Sequence, residues 1–381
     1  MKIKSIVIAI GLALASVASI STWFSPLAIY LITRSILPIP LIVVIASIIS
    51  SSITILLYLY KTSICTKITT IMIILIVAIY ACTYIFNSEY LWFSMLSLVL
   101  ALSLYIGRLY NTIITFSVKI SEVLRKRILN TIVKRSWIPS LFLSIAIVAI
   151  CRWIDLYVSL ALIIIFLSLS IPLSILLKPF SKVDIEKSIE KKHSFNIPYI
   201  TLSIYTIMYV LSTSMIYPYT PVILLEIFKR DLIEIGIFYG SIVVISSIVM
   251  RLAQLIILSK GASAAMSIRS IVSSLAFLTV ASTIHPVVAE ISLFIAFATA
   301  PLHTLSYSFF ARYMDIEKGR RLELLYTATS AIAVVVGYIL WLKNPRLILL
   351  IGAFIALASL VLLPRLRRSE RFLIEQEVFL S

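Results

Sequence analysis

The sequence predicts an all-α polytopic membrane protein of about twelve transmembrane helices, arranged as two parallel six-helix repeats. Three observations predict it. Apolar residues make up 61% of the 381, and mean hydropathy is +1.11, where soluble domains are roughly 45–50% apolar. Hydropathy separates about twelve apolar stretches, a bilayer-crossing helix needing roughly 20 residues. Finally, the chain repeats itself. Pro26-Leu-Ala-Ile-Tyr-Leu-Ile-Thr-Arg34 returns as Pro221-Val-Ile-Leu-Leu-Glu-Ile-Phe-Lys229, displaced by 195 residues. The same displacement lays Arg108 over His303, Glu122 over Glu317 and Arg125 over Arg320. Parallel repeats in an apolar chain point to a transporter with its substrate site between the halves.

The stretches run 5–31, 38–60, 67–86, 94–118, 134–151, 154–177, 197–217, 234–258, 263–283, 288–311, 323–342 and 346–363. Helices are required because a backbone in lipid must satisfy its own hydrogen bonds, and barrel-type alternation is missing. The first stretch follows Met1-Lys-Ile-Lys4 and imitates a signal peptide. Cleavage near Ala18 would delete half of the helix whose continuation repeats at 221, so retention is expected. Its Ser16, Ser19, Thr22 and Pro26 fall at helical spacing. Lys61 and Lys67 bracket the junction of the second and third stretches, and the fourth carries Arg108 within it. The fifth opens on Lys134-Arg135 and holds Pro139.

Between the halves, 178–196 is polar and bounded by Pro179 and Pro198. Its Lys182–Glu186 pair and its Ile185–Ile189 face predict a short amphipathic linker helix. The domains expected are therefore 1–177, the linker 178–196, 197–364, and a tail from 365 to 381 whose Phe372, Leu373 and Phe379 rest at the interface. The seventh stretch holds a hydroxyl stripe of Ser203, Thr206, Thr213, Tyr217 and Thr220, flanked by Tyr205, Tyr209 and Ser212. The eighth carries Arg251 and Gln254, and the tenth holds His303 between Thr299 and Ser306.

Lysine and arginine set the orientation. With the N-terminus inside, 26 of the 33 basic residues fall on cytoplasmic ends and loops, Arg269 among them, and 6 fall outside. A multi-pass protein of the cell membrane with both termini cytoplasmic is expected. Its basic face toward anionic headgroups accounts for the net +17 without nucleic acid. Cys65, Cys82 and Cys151 share no metal-ligand or disulfide spacing.

These features resemble the major facilitator superfamily over nearly the whole chain. Tyr217-Pro-Tyr-Thr-Pro221 through Glu234-Ile-Gly236-Ile-Phe-Tyr-Gly240 is similar to that family's passage from its seventh to its eighth helix. Arg108, Asn111, Glu122 and Arg125–Arg127 resemble its fourth-helix arginine motif and the basic loop after it. Lys318-Gly-Arg-Arg321 resembles the matching loop of the second half. Two departures stand out. The diagnostic loop after the second helix is reduced to Lys61-Thr-Ser-Ile-Cys-Thr-Lys67, and the fifth-helix glycine-proline pattern survives only as Pro139.

An ionisable group at the depth of Arg108 is costly and faces a cavity or a partner. Tyr105, Arg108 and Thr112 share a helical stripe. One reading has Arg108 hold an anionic substrate group with its forked donors; the other has it satisfied by carbonyls of a neighbouring helix. The resemblance places the first, fourth, seventh and tenth helices around the cavity. It thereby nominates Arg108, Asn111, Thr112, Tyr105, Thr206, Tyr209, Thr213, Thr299 and His303 as substrate residues. Arg251, Gln254, Arg135 and Arg320 are candidate gate or interface residues, with snorkelling to headgroups as the alternative.

None of the sixteen acidic residues falls near a bilayer midplane. Only His303 offers a coupling proton site, and an arginine-bearing cavity without carboxylates favours anionic or neutral polar solutes. No nucleotide-binding loop appears, so neither ATP nor any cofactor is implied. The expectation is a monomeric secondary transporter, not an enzyme, moving a small organic anion or polar metabolite by alternating access. An exporter of hydrophobic compounds is the alternative within that class, and a transport-inactive scaffold or sensor the alternative outside it.

Overall fold

A computed structural model describes residues 2–59, 63–117, 137–171, 199–283, 285–311, 314 and 316–370. Side chains are described at these positions except 2–9, 54–59, 63–66, 107–117, 137, 311, 316, 317 and 320. Among the described residues every regular element is helical. The first repeat gives α1 (Lys2–Thr33), α2 (Pro38–Leu59), α3 (Ser63–Phe86), α4 (Glu89–Ser117), α5 (Trp137–Trp153) and α6 (Leu156–Ser168). The second gives α7 (Tyr199–Ser214), α8 (Leu232–Lys260), α9 (Ala262–Ser282), α10 (Pro286–Ala298), α11 (Ala300–Ala311), α12 (Ile316–Lys343) and α13 (Pro345–Ala358). Among the described residues nine helical stretches are long and apolar enough to cross a membrane, and three more are shorter apolar helices. Together they reproduce the twelve expected spans in order. The expected linker helix at 178–196 and the tail from 371 lie outside the described residues.

The chain forms two compact units, Met1–Ser188 with Pro218–Val243, and Ile189–Tyr217 with Val244–Ser381. In the first, α4 lies along α1, α2 and α3, while α1 also meets α5 and α6. In the second, α9 lies along α10, α11 and α13, and α7 meets α12 and α13. Shifted by one repeat, the same pairings recur: α1–α5 as α7–α12, α1–α6 as α7–α13, α3–α6 as α9–α13, and α5–α6 as α12–α13. The backbone agrees. Arg34 and Lys229, which the 195-residue displacement superposes, both take a left-handed φ, at 52° and 56°. That region is uncommon for a residue with a Cβ, so the same chain reversal ends the first helix of each repeat.

Two places depart from the sequence expectation. The seventh stretch does not stop at 217. It continues as a 3-10 turn (Tyr217–Tyr219), an α turn (Thr220–Val222) and a π turn (Ile223–Ile227). Pro221 has a counterpart in Pro26, which α1 accommodates without a break. The second half adds Pro218 three residues earlier, and two missing N–H donors in succession force the change of winding. The tenth stretch is interrupted at Thr299, between α10 and α11.

Close helix packing explains the glycine spacing at the start of α8. A Cβ on Gly236 would stand 3.0 Å from the Ser144 carbonyl oxygen, and one on Gly240 3.3 Å from the Leu141 carbonyl oxygen. The four-residue step puts both on one face, where α5 approaches closely. Nearby, Trp23 and Tyr239 stack at 4.5 Å with 3° between their planes. Tyr30 donates to Glu226 at 2.8 Å, and Arg152 pairs with Asp231. All of these lie within the first unit.

Candidate functional site

The second unit holds a buried polar cluster built from α7, α9 and the interruption between α10 and α11. Small residues prepare it. Ser263, Ser270, Ser273 and Ser274 are all buried along α9, and small side chains let membrane helices approach closely. Between them stands Arg269, 1% exposed. It lies seven residues past the first residue of α9, about 10 Å at 1.5 Å per residue.

Pro301 causes the interruption, because it offers no N–H to the carbonyl four residues back. The Leu302 N–H turns instead to the Thr299 carbonyl, at 3.1 Å. Other helices supply donors to the carbonyls around this point. Ser246 Oγ donates to the Ala298 carbonyl at 3.2 Å, and Arg269 Nη1 donates to the Ala296 carbonyl and to Thr299 Oγ1, the latter at 2.7 Å. An irregular backbone at membrane depth is tolerated where protein satisfies it, and discontinuous spans are where transporters place their sites.

His303, in the first turn of α11, is 3% exposed. Its imidazole lies flat on the Tyr209 ring, with centroids 3.4 Å apart and 14° between planes. Tyr205 and Tyr307 supply further rings at 5.9 and 6.1 Å. The Arg269 guanidinium carbon stands 5.7 Å from the Tyr209 centroid, within cation–π range. Beneath the rings, the Tyr205 hydroxyl lies 3.2 Å from Ser270 Oγ, which lies 2.9 Å from Ser359 Oγ.

The arginine is held by carbonyl and hydroxyl oxygens, not by a carboxylate, among the described residues. Ion pairs such as Arg152–Asp231, Lys229–Glu226 and Arg230–Glu234 lie elsewhere, and no carboxylate among the described residues answers Arg269. Arg269 Nε and His303 Nδ1 are both buried and have no hydrogen-bond partner among the described residues. Burying a charge without an opposite charge is costly; the carbonyl end of α10, to which Arg269 Nη1 donates, offers partial negative charge, and the N-terminus of α11 partial positive charge.

Of the residues expected from sequence, His303, Tyr209 and Thr299 come together here. Thr206 and Thr213 lie on the same helix as Tyr209, where their hydroxyls donate to the Leu202 and Tyr209 carbonyls at 2.8 and 2.9 Å. Tyr105 is buried in α4. Arg108, Asn111 and Thr112 lie on the α4 backbone, but their side chains fall outside the described residues. Arg135 is outside the described residues entirely, as is the side chain of Arg320. Arg251 and Gln254 are exposed on α8.

Arg269 is the residue that sequence reasoning missed. It was expected among the cytoplasmic-end cations, and the structure buries it instead. Counting charges by side assigns any arginine near a span end to the headgroups. The serines at 263, 270, 273 and 274 were the available signal, since they mark the face on which Arg269 lies.

No family model matches this sequence, and no curated protein matches it either. Solved structures do match in fold. A bacterial homologue of the iron transporter ferroportin, crystallised in an outward-facing state, is 16% identical, with 96% of this chain and 99% of that chain covered and a TM-score of 0.62. The nucleoside transporter NupG is 12% identical over 95% of this chain and 99% of that chain, with a TM-score of 0.67. The xylose transporter XylE from E. coli is 12% identical over 93% and 95%, with a TM-score of 0.61. These likenesses show the fold.

Proposed function

We propose that this chain, which has the major facilitator fold, is a secondary transporter working by alternating access, with an organic anion or polar metabolite as its solute. The observation that carries the reading is the polar cluster at the interrupted span, where Arg269 is buried with no carboxylate partner among the described residues and its Nε has no hydrogen-bond partner there. Discontinuous spans with a helix N-terminus turned to an anionic group recur at transporter sites. The aromatic stack of Tyr209 and His303 forms one wall, and Thr299 and Arg269 supply the polar contacts. Arg108, by its repeat relation to His303, is the group proposed to meet the solute from the first half. Both termini are proposed to be cytoplasmic, on the lysine and arginine bias.

Similar folds carry chemically different solutes, being described as transporters of iron, nucleosides and xylose, so the solute must come from this chain's own residues. Among the described residues no three His, Cys, Asp or Glu side chains gather as a metal site. A metal cargo therefore draws no support there, whereas an anion does.

Alternating access requires similar binding energy in both states, because a solute held much more tightly in one would trap it. Counterflow in proteoliposomes tests the reading. Labelled solutes from an anion, sugar, nucleoside and hydrophobic-compound panel are compared for the wild type, Arg269→Ala, His303→Ala and Arg108→Ala. Transport of at least one polar solute is expected, with loss in the Arg269 and His303 variants while they remain folded. A folded wild type that moves nothing in the panel, or variants that transport normally, would overturn it.

A further inference from the structure

The two unpartnered atoms in the cluster say more about the solute than its charge. We infer that the solute carries a single carboxylate-type anion beside a hydroxyl, with Arg269 Nε taking the anion and His303 Nδ1 the hydroxyl. This inference rests on the transporter reading and narrows it to one chemical class.

Arg269 Nη1 is held by the Ala296 carbonyl and Thr299 Oγ1, and the guanidinium is a rigid planar fork. Fixing that nitrogen fixes the plane in which Nε–H points. Nε–H is a donor and never an acceptor, so its partner must accept. Because the charge has no carboxylate partner among the described residues, an acceptor bearing negative charge is favoured over a neutral carbonyl.

His303 makes a different demand. A neutral imidazole nitrogen is a donor or an acceptor according to tautomer. A hydroxyl satisfies either, since it both donates and accepts; a carboxylate oxygen serves only one. His303 and Arg269 both lie against the same Tyr209 ring, so the two polar groups belong close together on a small molecule. Nη1 is committed, and the other edge of the guanidinium, Nε–H with Nη2, is the planar fork that matches one carboxylate.

A ladder of probes separates the two demands without any variant. Propionate has the anion alone, lactate has anion and hydroxyl, and lactamide has the hydroxyl without the charge. The phenylpropionate and phenyllactate pair repeats the comparison at larger size, and chloride tests a free inorganic anion. Each is measured as a competitor in counterflow and as protection against thermal unfolding in detergent. The hydroxy acids should act at about tenfold lower concentration than their deoxy partners, the effect of one neutral hydrogen bond. Lactamide should be weaker than lactate by at least about 30-fold.

Variants then assign the atoms. His303→Phe keeps a ring against Tyr209 and removes Nδ1, so the hydroxyl preference should vanish while the anion preference stays. Arg269→Gln should remove the anion preference, and Arg269→Lys should keep part of it. Melting temperatures report any variant that fails to fold, and in that event the wild-type ladder decides alone. Equal potency of propionate and lactate, and of the phenyl pair, overturns the hydroxyl assignment. Lactamide matching lactate overturns the anion, and chloride matching lactate overturns the organic class. Transport of neutral solutes with no anion preference sinks this inference and leaves the transporter reading standing. No transport by a folded protein sinks both.

Discussion

Glu370 closes the start of α9, and its removal should be among the most damaging single changes in the second unit. The carboxylate is 3% exposed. It accepts from the Ala262 N–H, from the Ser263 N–H at 3.1 Å and from Ser263 Oγ at 2.6 Å. Helix starts leave their first N–H groups without intrahelical partners, so this side chain caps α9 from a residue more than a hundred positions away. A cap of this kind contributes about 0.5–2 kcal/mol, and hydrogen bonds to a charged group about 1.5–3 kcal/mol each, though not additively. Glu370→Ala should therefore cost about 3 kcal/mol. Glu370→Gln keeps one accepting oxygen and should cost roughly half of that.

Gly261 supplies an internal check on this reasoning. Its φ of 95° and ψ of 164° belong to a region reserved for glycine. A Cβ there would also stand 2.7 Å from both carboxylate oxygens of Glu370. Gly261→Ala thus combines a backbone penalty of about 1–3 kcal/mol with a clash. In the Glu370→Ala background the clash disappears and the backbone penalty remains. The double variant should consequently be less damaged than the sum of the singles, by about 1 kcal/mol or more. Tryptophan-fluorescence unfolding in detergent measures the stabilities, and hydrogen exchange at the amides of 262–265 reports the cap directly. Strict additivity of the two changes, or unchanged exchange at those amides in Glu370→Ala, would refute the account.

Three further outcomes follow from the first unit and from the interrupted span. Gly236→Leu forces a branched side chain onto the Ser144 carbonyl and should cost about 1–3 kcal/mol by overpacking, seen as a lower melting temperature that Gly319→Leu, in open space, does not share. The Arg152–Asp231 pair is about half exposed, at 43% and 45%, so a double-mutant cycle should give under about 1 kcal/mol and shrink in salt. The Glu234 backbone N–H, followed by the Arg152 side chain, holds the Asp231 carboxyl below its ordinary 3.8. A depressed carboxyl contributes stability above its unfolded value and loses it as pH falls through the folded value. The pair should then be indifferent to pH between 5 and 8, and weaken only below about 3.8. Ser246→Ala, which strands the Ala298 carbonyl, should destabilise by about 1–3 kcal/mol, measured by the same unfolding assay against Ser259→Ala on an exposed turn.

The architecture was legible because it rests on quantities that a sequence displays directly. Twelve apolar stretches, a 195-residue self-displacement and the Pro26–Pro221 match are each visible without coordinates. Gly236 and Gly240 could be read as a motif but not explained, since the reason lies on α5 at Leu141 and Ser144. The site was legible in part. His303, Tyr209 and Thr299 lie on helices that the repeat and the family resemblance nominated, and they do converge. Arg269 was hidden because its burial depends on partners at Ala296 and Thr299, in a different helix, which hydropathy cannot pair.

The interrupted span shows why such a residue escapes a linear reading. A single Pro301 is averaged out among its apolar neighbours in a hydropathy window, so 288–311 looks continuous. Its effect is to remove one donor and redirect another, and a backbone in lipid cannot leave the resulting carbonyls bare. Side chains from other helices meet the carbonyls around this point, Ser246 at Ala298 and Arg269 at Ala296. A neutral donor such as Ser246 meets the same need at Ala298 with no charge to compensate. Choosing arginine at Ala296 therefore exceeds what the carbonyl requires, and the surplus is a positive charge, buried against an aromatic stack. That surplus is the basis on which a binding site is proposed here, and it is what the anion ladder measures.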